Sequence, residues 1–412
     1  MINFRFNRVN QREIAPNLLS GATVAVVALP LALGFGVTSG MSAAVGLTTA
    51  IIAGFVAGIF GGSKYQVSGP TGAMTVVLIP IVNKYGVVAI PFLGLIAGLM
   101  VLTLALIRAG GIINQIPWGV VEGFTVGIAA VIALQQLPLV LGVTKGKGDG
   151  SLPVAWHTLA NAFDSPAHRN VIAIAILTLI VKFSYPKITK RFKIKAHIPA
   201  SFFTIVVSTA VVKALSLDLP RIGDIPRNIG KWSGGGISLS QLVHLLWPAL
   251  LIALLCAIES LLSARVADSL VHAPIDQRFQ PNRELVGQGL ATIAASLFGG
   301  MPATGAIART SVNVRSHATS RLSSVFHSVV LLIMVFITAP LVSQIPSAAI
   351  GAVLIGTSFR MLNPRSIMES LRTTRSEAVT LVVTAICTLA IDLIWGIAIG
   401  IVVHFAFTLR RK

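Results

Sequence analysis

Glu259 and Arg309 are the residues whose type and setting point most directly to chemistry. Glu259 follows the unbroken apolar run Leu250–Ile258, with Leu261 and Leu262 beyond it. A carboxylate that deep in an apolar segment is protonated, paired or holding a cation. Ser263 lies one helical turn further along the same face. Together Glu259 and Ser263 read as a coupling-ion site, and the residue types alone do not decide between H+ and Na+. Arg309 lies five residues after Thr304, in the second expected half-helix. A buried arginine faces a cavity or a partner, so it could bring full positive charge to an anion, or simply neutralise a carboxylate such as Glu259.

Two interruptions with the same order of residues surround this chemistry. One reads Phe60-Gly61-Gly62, then Pro70-Thr71-Gly72-Ala73-Met74; the other reads Phe298-Gly299-Gly300, then Pro302 and Thr304-Gly305-Ala306-Ile307. Matching breaks in two halves of a membrane chain point to a transporter's binding site. A helix that starts after such a break presents N–H groups without intrahelical partners, and in lipid these must be met by protein, water or ligand. Each N-terminus carries about half a positive charge, so two of them facing each other make an anion site. Thr71 and Thr304 would add hydroxyl donors there, while Gly72 and Gly305 would allow close backbone approach. Phe35, after Pro30 in the first apolar segment, is placed to stack beside the site, although a lone Phe more often packs. The plainer alternative is a pair of Pro/Gly kinks that only pack helices.

The elements that must position these residues are membrane helices. The chain has 412 residues, 54% of them hydrophobic and 11% charged, with mean hydropathy +0.85; water-soluble domains carry roughly 25% charged residues. Fourteen segments are expected, near 16–38, 43–62, 71–83, 88–107, 119–138, 170–185, 197–214, 245–266, 285–298, 304–315, 321–341, 346–360, 375–390 and 393–409. The third and tenth are too short to cross a bilayer comfortably and are expected to be half-helices. Long polar outer loops are expected at Gly142–Arg169 and Ser216–Gly236; the second, with Pro220, Pro226 and Gly234-Gly235-Gly236, separates residues 1–215 from 237–412. Seven segments on each side reverse the second half, which gives an inverted repeat.

With both termini inside, most of the 32 Lys and Arg fall on the inner side. Examples are Arg5, Arg8, Arg12, Lys187, Lys190, Arg191, Lys193, Lys195, Arg360, Arg365, Arg372, Arg375, Arg410, Arg411 and Lys412. That bias explains the net charge of +19 through membrane orientation, rather than through nucleic acid. Glu122 and Asp268 read as interfacial, and Asp392 as a turn residue. Met1–Asn17 is polar and basic rather than a cleavable signal. Cys256 and Cys387 read as small core residues. The eight histidines show no metal spacing, and no Gly-x-Ser-x-Gly is present, which argues against an enzyme. Neither metal nor cofactor is expected.

At these residues the chain resembles the SulP anion transporters, the family of sulfate, bicarbonate and dicarboxylate carriers. The similarity covers essentially the whole sequence. It rests on Ala28-Leu29-Pro30-Leu31-Ala32-Leu33-Gly34-Phe35-Gly36, on Ser68–Met74, on Glu259-Ser260-Leu261-Leu262-Ser263, and most specifically on Gly299–Thr310. The resemblance implies an all-α membrane fold of fourteen segments in two inverted repeats of seven, shared with uracil-type permeases. A core domain (about 16–108 and 245–341) would carry the anion, and a gate domain (about 119–214 and 346–409) would give a sliding surface or a homodimer contact. The implied anion contacts are Phe35, Thr71, Gly72, Ala73, Gly305, Ala306, Ala308 and Arg309, with Glu259 and Ser263 at the coupling-ion positions. Sodium-driven bicarbonate members have aspartate and threonine at those two positions, which tilts this chain toward protons. Most members continue into a cytoplasmic STAS domain, and here no soluble domain is expected after Phe407. The expected function is secondary transport of a small anion in a bacterial plasma membrane. Within the fold the alternatives are a sodium-coupled bicarbonate symporter, an anion exchanger and a nucleobase permease, although such permeases place an acid where Arg309 stands; a channel is a more distant alternative.

Overall fold

The computed structural model describes residues 11–113, 115–148, 150–164, 169–192, 199–223, 230, 232, 234, 239–391 and 393–409. Arg5, Arg8, Lys193, Lys195, Pro226, Gly235, Gly236, Asp392, Arg410, Arg411 and Lys412 lie outside them. In chain order the helices are α1 (Gln11–Thr38), α2 (Ala43–Phe60), α3 (Gly72–Tyr85), α4 (Ile90–Leu106), α5 (Gly110–Ile113), α6 (Trp118–Gln135), α7 (Leu137–Leu141), α8 (Ser151–Asp164) and α9 (Arg169–Arg191). They continue as α10 (Ala200–Ala214), α11 (Leu239–Leu270), α12 (Pro281–Leu297), α13 (Ile307–Arg315), α14 (Leu322–Val342), α15 (Ser347–Met361), α16 (Pro364–Thr373), α17 (Arg375–Ala390) and α18 (Leu393–Leu409). Two short strands, β1 (Ser68–Gly69) and β2 (Thr304–Gly305), complete the elements described. Six of the helical stretches among the described residues are long and apolar enough to cross a membrane, and a helix coincides with each of the fourteen expected segments.

One compact unit contains residues 1–114, 197–199 and 222–344. In it α12 packs on α4 and α2, α1 packs on α14 and α2, and α11 packs on α4, α13 and β2. Ala53, Ala57, Ala291, Ala295 and Ala303 form a core cluster at the α2–α12 contact, where small side chains let backbones approach without help from water. The two breaks lie in this unit. Pro70 stops β1, and Thr71 caps α3 by accepting the Met74 N–H at 3.3 Å. The second break differs from expectation: α13 begins at Ile307 rather than Thr304, because Thr304 and Gly305 are held as β2.

The other unit contains residues 115–196, 200–221 and 345–412. Its tightest seam joins α6, α17 and α18. Gly123 and Gly127 of α6 face Leu381, Thr384 and Thr388 of α17, and Gly396 and Gly400 of α18 abut Thr388 and Thr384. Lys182 of α9 is fully buried, and its ammonium donates to the Val353 carbonyl and to Thr357 Oγ1, the latter at 2.7 Å. One of the two expected polar loops, Gly142–Arg169, contains a helix, and a further helix lies between two expected segments. Ser151–Asp164 forms α8 because Leu152, Trp156, Leu159 and Phe163 recur at helical spacing, and all four are exposed. Pro364–Thr373 forms α16, capped by Asn363. Glu122 and Asp268, read as interfacial, have little exposed surface; Asp268 accepts the Phe279 N–H at 2.8 Å. Both cysteines are free, with Cys256 buried.

A methyl group added at Gly123 would lie 2.3 Å from the Leu381 carbonyl oxygen, whereas one at Gly111 would meet nothing within 4 Å. Gly123→Ala should therefore destabilise by about 1–3 kcal/mol through overpacking, and Gly111→Ala should not. Thermal unfolding of the two variants in detergent checks this; equal midpoints would contradict the seam.

Candidate functional site

The two breaks meet as a pair of strands. Ser68 lies opposite Gly305 and Gly69 opposite Thr304 in an antiparallel register, and the Ala306 N–H donates to the Val67 carbonyl at 2.9 Å. Their backbone groups are thus satisfied by each other, as non-helical chain at membrane depth requires. From this seam α3 and α13 depart. Ala306, the N-cap of α13, gives no side-chain cap, so the first-turn N–H groups of α13 have no side-chain acceptor there.

One face of α11 holds both breaks. Thr71 Oγ1 donates to Glu259 Oε2 at 3.0 Å. One residue on, Ser260 Oγ stands 2.9 Å from Thr304 Oγ1 and accepts the Gly305 N–H at 3.0 Å. Cys256 Sγ reaches the Ala303 carbonyl at 3.2 Å. A turn below, Ser263 Oγ donates to Thr310 Oγ1 at 3.0 Å, and Thr310 Oγ1 also accepts the Val67 N–H at 3.1 Å. These α11 residues follow the spacing of neighbouring turns, so α11 acts as a ruler that fixes β1, β2 and both half-helices.

Arg309 links the breaks from α13. It is 1% exposed, and Nη2 donates to the Pro70 carbonyl at the end of β1. Nη1 has no hydrogen-bond partner. It lies against Gly69, where an added Cβ would be 2.5 Å away, so only glycine leaves room for the guanidinium. The plainer alternative, an ion pair of Arg309 with Glu259, is not formed: the two groups are not within 4.0 Å of each other.

Of the remaining expected residues, Phe35, Ala73 and Ala306 are buried; Gly72 and Gly305 are buried too, and Ala308 is half-buried. Phe35 reaches the α3 end through its backbone, since Ser39 Oγ lies 2.6 Å from the Phe35 carbonyl and 3.1 Å from Thr75 Oγ1. Ser263 and Glu259 share a helix face, but the Ser263 hydroxyl is engaged by α13.

Residues that the sequence reading did not assign to the site also shape it. Ser260 and Thr310, quoted there only as parts of motifs, are buried at the seam, and for Ser260 the signal was a hydroxyl inside an apolar helix. Gln66 packs its amide on Gly305, where a Cβ would lie 2.1 Å from Nε2; nothing in its local sequence marks this. His327 is fully buried within α14, and neither ring nitrogen has a hydrogen-bond partner.

Comparison with known proteins follows this geometry closely. The model of the Sulfate permease family matches residues 14–384. The chain is 35% identical over 414 aligned residues to "Putative sulfate transporter YvdB" of Bacillus subtilis, covering 99% of this chain and 76% of that protein. It is 29% identical to "Bicarbonate transporter BicA" of Picosynechococcus sp., covering 98% and 72%. The solved transmembrane domain of a cyanobacterial bicarbonate transporter BicA superposes with TM-score 0.83 at 26% identity, over 97% of this chain and 99% of that one. The helices therefore form the membrane fold of fourteen segments in two inverted repeats of seven. The chain belongs to the Sulfate permease family, a family of transporters rather than enzymes.

Proposed function

We propose that this protein is a secondary active transporter of a small anion, sulfate, bicarbonate or a C4-dicarboxylate, driven by protons through Glu259. The observation that carries this reading is the free Nη1 of fully buried Arg309 beside the uncapped start of α13. A guanidinium nitrogen and first-turn amides with no acceptor are what an anion binds. Thr71, Gly72 and Ala73 at the α3 end, and Thr304, Gly305, Ala306 and Ala308 at the α13 end, would line the anion, with Phe35 beside them. The names of the related sulfate and bicarbonate transporters support this class of substrate.

Glu259 couples the ion by charge. When it is negative, it faces the anion across Thr71 and opposes its binding; when protonated, that repulsion is gone. Proton and anion therefore favour each other's binding, and anion affinity rises on acidification. Alternating access then moves both together. Sodium held by Glu259 and Ser263 is the competing reading.

Uptake into proteoliposomes of labelled sulfate, bicarbonate and fumarate, with and without an inward proton gradient, separates these readings. Accumulation of one anion only with the gradient is expected. Sodium stimulation in place of the gradient would replace the proton; uptake of none of the three, with uptake of uracil instead, would overturn the anion reading. Glu259→Gln should abolish gradient-driven accumulation, and wild-type pH dependence in that variant would remove Glu259 from coupling. Arg309→Gln should raise the apparent KM for the anion on the order of tenfold or more, the loss of one charge-assisted bond at about 1.4 kcal/mol per decade.

A further inference from the structure

Glu284, in the first turn of α12, touches neither Arg309 nor Glu259 by any hydrogen bond, yet it is 1% exposed and accepts four hydrogen bonds. Oε2 takes the backbone N–H groups of Gly62 and Ser63, each at 2.8 Å. Oε1 takes Gln66 Nε2 at 2.8 Å and Gln288 Nε2 at 2.9 Å. A buried carboxylate is tolerated when its oxygens are occupied in this way. Neighbouring bonds complete the clamp: Arg321 Nη1 donates to the Gly61 carbonyl at 2.8 Å, and Ser324 Oγ donates to the Gln66 carbonyl.

Each amide that Glu284 holds continues to the seam. Gln288 Nε2 also lies 2.6 Å from Ser68 Oγ, the first residue of β1. Gln66 lies flat on Gly305, the last residue of β2. Ser68 and Gly305 are register partners. One carboxylate thus fixes the glycine turn after α2 and, through two glutamines, steadies both strands of the same rung. We infer that Glu284 is a positioning residue of the anion site: it sets the β1–β2 register and so the placement of the α3 and α13 ends, by shape and hydrogen bonding rather than by its charge. This inference rests on the seam being the anion site.

The distinction between geometry and charge is testable because Oε1 of both Gln66 and Gln288 has no partner. In Glu284→Gln, the new amide oxygen keeps Gly62 and Ser63, and its NH2 meets Gln66 and Gln288 after each turns its own amide over. All four contacts survive with two reversed. Glu284→Ala loses them all, and Gln66→Met loses one. The readout is KM and Vmax for whichever of labelled sulfate, bicarbonate and fumarate the wild type carries, in proteoliposomes, with Arg309→Gln alongside. Expected is a KM raised on the order of tenfold in Glu284→Ala, raised severalfold in Gln66→Met, and near wild type in Glu284→Gln, with Vmax per folded protein retained. Where Glu284→Ala does not fold, Gln66→Met and Glu284→Gln carry the test. An unchanged KM in Gln66→Met or in folded Glu284→Ala, while Arg309→Gln is raised, overturns the positioning role alone. A loss in Glu284→Gln as large as in Glu284→Ala overturns the geometric account in favour of charge. An unchanged KM in Arg309→Gln removes the site and this inference with it.

Discussion

Backbone N–H and C=O groups freed from a helix inside a membrane must be satisfied by protein, water or ligand, and the architecture of the first unit answers that constraint with protein. Two breaks far apart in sequence pair as β1 and β2, so each supplies the partner the other lacks. A pairing of two residues per strand is too small to stand alone. It persists because α11 presses Cys256, Glu259, Ser260 and Ser263 against it from one side. The Glu284 network grips the approach to β1. The positions of α3 and α13 are consequences of this arrangement rather than independent facts.

The electrostatics of the seam are unbalanced in one direction. Helix N-termini are positive ends, and Arg309 adds a whole charge beside one of them. Among the described residues no carboxylate stands within 4.0 Å of that guanidinium, and one of its nitrogens has no acceptor. Removing a charge from water without a partner is costly. Glu259 offsets part of this from a distance, through its place on Thr71. The remaining excess is positive, buried and lined by small residues, a combination that an anion relieves and a neutral nucleobase does not.

Much of this was legible in the sequence, and the limits are specific. Hydropathy marks the long helices because twenty-residue apolar runs have few other uses, six of them by length and composition alone, and Pro70, Gly72, Pro302 and Gly305 mark the breaks because helices do not tolerate such clusters. Local pattern could not show that Thr304 and Gly305 are strand, since the pairing partner lies in the other half of the chain. It could not reveal Gln66 or Glu284 either: a glutamate in the first turn of a helix is common for reasons of helix dipole alone, and its burial is decided by elements more than 200 residues away. Helix α8 was missed for the opposite reason, because its polar residues and short apolar stripe read as loop when only continuous hydrophobicity is scored.

The duplicated motif also conceals a division of labour. At the α3 end, Thr71 Oγ1 accepts the Met74 N–H and gives its own proton to Glu259, so that end is capped and tied to the carboxylate. At the other end, the matching Thr304 hydroxyl is drawn away to Ser260 and the Cys256 carbonyl, and α13 begins three residues on, at Ile307, without a side-chain cap. The repeat has thus diverged into one capped end tied to Glu259 and one end without a side-chain cap, the end that the proposed function assigns to the anion. The link between them is covalently short and sterically tight: Arg309 crosses from α13 to the Pro70 carbonyl, next to Thr71. If Glu259 gains a proton, Thr71 loses its charged acceptor, and the residue that adjoins it in sequence is the one whose carbonyl restrains Arg309. In the proposed transport cycle, coupling between ion and anion would need no long pathway, only the Pro70–Thr71 dipeptide, to which Arg309 and Glu259 are both hydrogen-bonded.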